Sequence, residues 1–209
     1  MKISPDKLTV TENYKLLIGS ILPRPIALVS TISEDDIPNL APFSFFTGVS
    51  SKPPTVCFSA AVRARDDGLK DTLLNIRSSG EFVINTVHLD IGEKMNECAT
   101  EYASDVNEFE MSGLTPIDSE KVRPSRVKEA LISFECRLNQ IVEVGPQAAG
   151  GGAIIIGEVL LFHVADHLID DRYRIDTAQL NPLGRLAGTE FTKLGERFSL
   201  NRQPPPARS

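Results

Sequence analysis

Arg63, Arg65 and Lys70 place three positive charges just ahead of residues 70–79, where Leu73, Leu74, Ile76 and Arg77 suit a short helix. A helix start carries unpaired N–H groups and a partial positive charge. In a chain of net charge −6, this is where a phosphate can be held. Asp71 and Thr72, both good N-cap types, mark the start; a solvated loop with an ordinary cap accounts for the same residues equally well. A second group of polar atoms comes from Ser30 and Thr31 and from residues 39–46, where Asn39 and Ser44 sit among Ala41, Pro42, Phe43, Phe45 and Phe46. Hydroxyls and free amides in short turns hydrogen-bond phosphates and heteroaromatic edges, although hairpin hydrogen bonding alone explains them better. Third, Gly184 and Gly188 flank Arg185, Leu186 and Ala187. Glycines let a backbone approach a flat ligand closely, and a simple turn explains them equally.

Other chemistries find little support. Gly150, Gly151, Gly152 and Gly157 precede a strand-like run rather than a helix, so they read as a turn and not as a dinucleotide loop. Neither a P-loop lysine pattern nor a nucleophile elbow occurs. Ser125 and Lys128 have the spacing of a serine–lysine pair but lack partner motifs. His163 and His167 lie in or beside a strand-like run with no third ligand type nearby, so no metal is expected. Cys57, Cys98 and Cys136 are odd in number and widely spaced, which argues against a disulfide framework.

The elements that must position these residues are mostly strands. The first third reads as runs over 25–32, 40–49 and 55–60, separated by the polar turn at 33–36 and by Pro53-Pro54. Gly80 stops the helix over 70–79, and 81–87 is another strand. Residues 90–125 turn acidic and helix-prone, with helices expected near 91–99 and 108–111. Residues 130–144 and 153–164 read as a long antiparallel pair. The expectation is one mainly β, barrel-like domain over 1–200, with a helical insertion at about 90–125 and an extended proline-rich tail over 201–209.

With 209 residues, such a domain buries a core large enough to need no staple. Its acidity disfavours nucleic acid. Residues 1–10 lack the apolar core of a signal peptide, and 153–164 is too short and too interrupted to span a bilayer, so no membrane association and a cytoplasmic location are expected.

Arg24-Pro25-Ile26-Ala27-Leu28-Val29-Ser30-Thr31 followed by Asn39-Leu40-Ala41-Pro42-Phe43-Ser44-Phe45-Phe46 resembles the opening of the flavin reductase-like, FMN-binding split-barrel family. Lys70-Asp71-Thr72, Asn75 and residues 80–85 resemble its next signature. Glu108-Phe109 with Gly113-Leu114-Thr115 is similar to its helical excursion, and 183–191 to its closing motif. Ala187 stands where a glycine is usual and Phe191 where a tyrosine is usual. The likeness runs over about 14–200, and the flavoredoxin-like branch is the nearest in flavour.

This resemblance implies a six-stranded antiparallel split barrel, working as a homodimer with FMN near the subunit interface. Ser30, Thr31 and Ala41 to Phe46, with Asn39, would line the ring and ribityl chain. Lys70, Asp71 and Thr72 would hold the phosphate, with Arg63 as an added charge. Arg185 and Leu186 would approach the isoalloxazine. The implied activity is that of an FMN-dependent oxidoreductase, first of all an NAD(P)H:flavin reductase with NADH or NADPH as donor and a monooxygenase or other redox protein as partner. A flavoredoxin-type electron carrier and a non-catalytic ligand-binding barrel are the alternatives. Hydride transfer between nicotinamide and flavin needs alignment more than a side-chain acid or base, which accounts for the lack of a triad or carboxylate pair.

Overall fold

The computed structural model describes residues 1–63, 68–201 and 203; Arg65 and most of the expected tail lie outside them. The first third is not all strand. Helix α1 (Val10–Ser20) begins at a reciprocal cap: Glu12 N–H donates to Thr9 Oγ1 at 3.2 Å, and Thr9 N–H donates to Glu12 Oε2 at 2.8 Å. Only Ile18 of this helix is buried.

Strands β1 (Ala27–Ile32), β2 (Pro38–Phe43), β3 (Phe46–Ser51) and β4 (Pro54–Ala61) follow, then helix α2 (Asp71–Ser79) and strand β5 (Glu81–Thr86). Gly80 ends α2 with a left-handed φ of 72°, as expected of a glycine stop. The insertion holds α3 (Gly92–Glu97), α4 (Glu108–Ser112) and a two-residue pairing of β6 (Pro116–Ile117) with β7 (Arg126–Val127). The long strands β8 (Ile132–Val144) and β9 (Gly152–Val164) pair antiparallel, as the sequence predicts. Helix α5 (Thr177–Leu180) and the small hairpin of β10 (Gly184–Arg185) and β11 (Phe191–Thr192) complete the chain.

Seven strands form one antiparallel sheet in the order β2-β1-β5-β8-β9-β4-β3. The sheet has seven strands rather than the expected six, because the single run expected over 40–49 is two strands. Ser44 and Phe45 break it: the segment pairs with β1 before the break and with β4 after it. Ser59 N–H donates to Phe45 O at 2.9 Å and pins this corner against β4. The two outermost strands of the sheet thus follow one another in the chain.

Both faces of β1 are covered, which is why it reads as an unbroken apolar run. Ala27 and Val29 join Phe58, Phe82, Ile155 and the inner side of α2 (Leu73, Ile76) in one core. Ile26 and Leu28 join Met95, Phe109 and Leu114 of the insertion in a second. Among the described residues, no helix is long and apolar enough to cross a membrane.

Candidate functional site

An open cleft lies where β2, the start of α2 and the segment 98–102 after α3 converge. Asn39, Ala41, Pro42 and Phe43 line it from β2, and Lys70, Asp71 and Thr72 from the start of α2. Arg63 enters from the chain just beyond β4. These residues were expected together, and one hollow holds them all.

Lys70 is the N-cap residue of α2, and among the described residues no side-chain hydrogen bond caps the helix. The N-cap role expected of Asp71 and Thr72 is corrected: both lie inside the first turn of the helix. Leu73 and Leu74 N–H close onto the Lys70 carbonyl at 2.9 and 3.2 Å. Asp71 serves a cation: its Oδ1 lies 2.9 Å from Arg63 Nη2. Lys70 Nζ donates to Glu101 Oε1 at 3.0 Å.

A buried amide–hydroxyl network backs the cleft. Asn39 Nδ2 donates to Thr31 Oγ1 at 3.2 Å and to Thr72 Oγ1 at 3.0 Å, and Asn75 Nδ2 donates to Thr31 Oγ1 at 3.0 Å. Thr31 thus acts from behind the wall rather than on its surface. Ser30, on the opposite face of β1, is fully buried and donates to the Ser125 carbonyl, away from the cleft.

Ser44, Phe45, Phe46, Arg185 and Leu186 do not line this cleft. All but Phe46, which packs on the first core, gather around buried Arg24. Its Nη1 donates to the Ile18 and Ile21 carbonyls at 2.7 and 2.9 Å, Nη2 to the Leu186 carbonyl at 2.9 Å and Nε to Ser44 Oγ at 3.3 Å. The guanidinium lies 5.7 Å from the Phe45 ring centre, and the Arg24 and Arg185 backbones exchange two hydrogen bonds. Arg185 itself stacks on Phe191 at 4.3 Å. One arginine therefore holds the end of α1, the β2–β3 corner and the closing hairpin together.

The insertion supplies the wall that sequence reasoning missed: Cys98, Glu101, Tyr102 and Glu108. Glu108 Oε2 accepts from Leu40 N–H at 3.0 Å, and burial pushes its carboxyl up despite that bond. Burial also raises the Cys98 thiol to about 11, so it faces the cleft neutral. The acidic character of 90–125 was the only signal, and it did not say which carboxylates turn inward. Among the described residues, no His, Cys, Asp or Glu group is arranged to hold a metal ion.

Two cations, a threonine hydroxyl and a helix start on one side, with Ala41, Pro42 and Phe43 beside them, make a donor set fit for a flat ligand with an anionic end. The flavin reductase like domain matches residues 18–179, and the chain belongs to the flavin reductase-like family. A protein of Aquifex aeolicus is 43% identical over 180 residues, which are 86% of this chain and 89% of that one. Nitrilotriacetate monooxygenase component B from Bacillus cereus superposes with a TM-score of 0.91 at 38% identity, over 96% of this chain and 98% of that one. The 2-nitrobenzoate 2-nitroreductase of Pseudomonas fluorescens superposes with a TM-score of 0.87 at 29% identity, over 99% and 100%.

Proposed function

We propose that this protein is an FMN-dependent NAD(P)H:flavin reductase that holds the flavin phosphate at the start of α2. The observation that carries this reading is the convergence of Arg63, Lys70, Thr72 and the start of α2 in one cleft. Family membership supports it, as do the monooxygenase component and the nitroreductase among its structural relatives.

Lys70 and Arg63 neutralise the phosphate, and the first-turn amides of α2 donate to its oxygens. Asn39 and Asn75 hold Thr31 and Thr72 in place, so the hydroxyl presented to the cleft needs little reordering on binding. Ala41, Pro42 and Phe43 give the ring and ribityl chain a short apolar wall with backbone polar groups. Bound FMN would supply two-electron hydride exchange with a nicotinamide. Arg24 aligns the closing hairpin, carrying Arg185 and Leu186, with the β2–β3 corner. A second copy of the chain would complete the site: Val10, Tyr14, Leu17 and Ile21 recur at helical spacing along α1 and are all exposed, an apolar stripe fit for a homodimer contact.

The test is the visible spectrum of the protein with FMN, before and after NADH or NADPH under anaerobic conditions. A flavin spectrum that bleaches directly is expected. Bleaching only through another reduced protein would make this an electron carrier, and failure to bind FMN would end the reading.

A further inference from the structure

We propose that Glu101 competes with the flavin phosphate for Lys70 and so sets how strongly the cleft prefers FMN over unphosphorylated riboflavin. This rests on the reading of the cleft as a flavin-phosphate site. Lys70 Nζ is 3.0 Å from Glu101 Oε1, the distance at which a phosphate oxygen would sit on the same ammonium. Among the described residues, Arg63 and Lys70 share the cleft with the carboxylates of Asp71, Glu101 and Glu108, and Asp71 and Glu101 are the two that pair with the cations. A phosphate monoester adds a charge of about −1.5 to −2 at neutral pH, so one carboxylate must yield if the site is to attract it.

The geometry points to Glu101 as the one that moves. Asp71 is fixed in the first turn of α2, and its partner Arg63 is largely shielded, with a side-chain exposure of 15%. Glu101 belongs to the irregular chain between α3 and α4, and its side chain is 37% exposed, so it can exchange Lys70 for water more readily than Asp71 can exchange Arg63. Riboflavin has no phosphate and makes no demand on Lys70.

The experiment titrates FMN and riboflavin, by quenching of flavin fluorescence, into flavin-stripped wild type, Glu101→Gln, Glu101→Ala, Lys70→Ala and the Lys70→Ala/Glu101→Gln pair. Both Glu101 variants should bind FMN about two- to fivefold more tightly, the worth of one partly exposed ion pair, with riboflavin unchanged. The gain should vanish in the Lys70→Ala background. Unchanged or weaker FMN binding overturns the proposal, as does equal tightening of both flavins or a gain that survives without Lys70. Lys70→Ala alone tests the underlying reading: it should weaken FMN and leave riboflavin unchanged. If it does so while the Glu101 variants are silent, the phosphate site stands and the competition falls.

Discussion

Asn39 Nδ2 lies 3.0 Å from Thr72 Oγ1, a hydrogen bond that ties strand β2 to the first turn of α2 across 33 residues of chain. The second proton of the same amide goes to Thr31 on β1. The start of α2 is thereby fixed relative to the wall formed by Ala41, Pro42 and Phe43. Replacing Asn39 by Ala leaves the buried Thr72 hydroxyl without this donor, while Thr31 keeps Asn75, and should cost about 1–3 kcal/mol, read as a lower urea midpoint. FMN affinity should fall as well. Asn39→Asp keeps the shape but adds a negative charge beside the phosphate position, so it should bind FMN more weakly than Asn39→Ala. Equal FMN affinities in the two variants would remove Asn39 from the neighbourhood of the anion.

Arg24 makes four side-chain hydrogen bonds to three parts of the chain. Lysine keeps the charge but has one nitrogen where the planar fork has three. Arg24→Lys should therefore destabilise the protein by about 1.5–3 kcal/mol, the worth of a hydrogen bond to a charged group. The loss should be uneven. α1 buries only Ile18, so protease cleavage within residues 1–20 should accelerate before the sheet opens. If cleavage there keeps its wild-type rate, Arg24 is not what holds α1 down.

The cleft residues of β2 and of the start of α2 were legible because each carries its chemistry locally. Lys70 precedes a helix start, and Asn39 sits in a strand among apolar neighbours. What could not be read is contact across long separations. Glu101 meets Lys70 31 residues away, and Arg24 meets Leu186 162 residues away; no spacing rule encodes either pair. Thr31 and Ser30 were expected on the cleft surface because they are hydroxyls at a strand end, yet β1 is covered on both faces, so both are buried. The break at Ser44-Phe45 was hidden in a continuous Phe-rich run, since the reason for it is a change of pairing partner. Helix α1 had readable signals in the Thr9–Glu12 capping pair and in the spacing of Val10, Tyr14, Leu17 and Ile21, but it buries only Ile18, so the core gave no sign of it.

Gly157 explains itself through Phe82. A Cβ at position 157 would lie 2.3 Å from Phe82 Cζ and 2.8 Å from Phe82 Cε1, so β9 needs a residue without a side chain to let the Phe82 ring pack beneath it. That ring is fully buried and stands edge-on to Phe58 at 5.7 Å between centres. Gly157→Ala should destabilise the protein by about 1–3 kcal/mol through overpacking. Pairing it with Phe82→Leu should recover part of that loss. Additive losses in the double variant would show that the two residues do not press on each other.

Two buried carboxylates should move stability with pH in opposite directions. For Glu135, burial alone would raise the carboxyl, but donation from the amides of Glu120 and Lys121 and from His163 outweighs it and holds the group below its ordinary 4.5. A depressed folded value means that the stabilisation is complete above 4.5 and is lost as pH falls through the folded value. Glu108 is the reverse case: burial raises it above 4.5, so wild-type stability declines as pH rises through the window between that value and the folded one. Glu135→Gln should be destabilising at about pH 7, with the gap to wild type narrowing at about pH 3 to 4. Glu108→Gln keeps an acceptor for Leu40 N–H while removing the charge that Asp71 opposes. It should match wild type at about pH 4 and exceed it at about pH 7. Urea midpoints of the three proteins across this range decide the matter. A Glu108→Gln protein less stable than wild type at neutral pH would mean that the carboxylate is held by partners stronger than the single Leu40 amide.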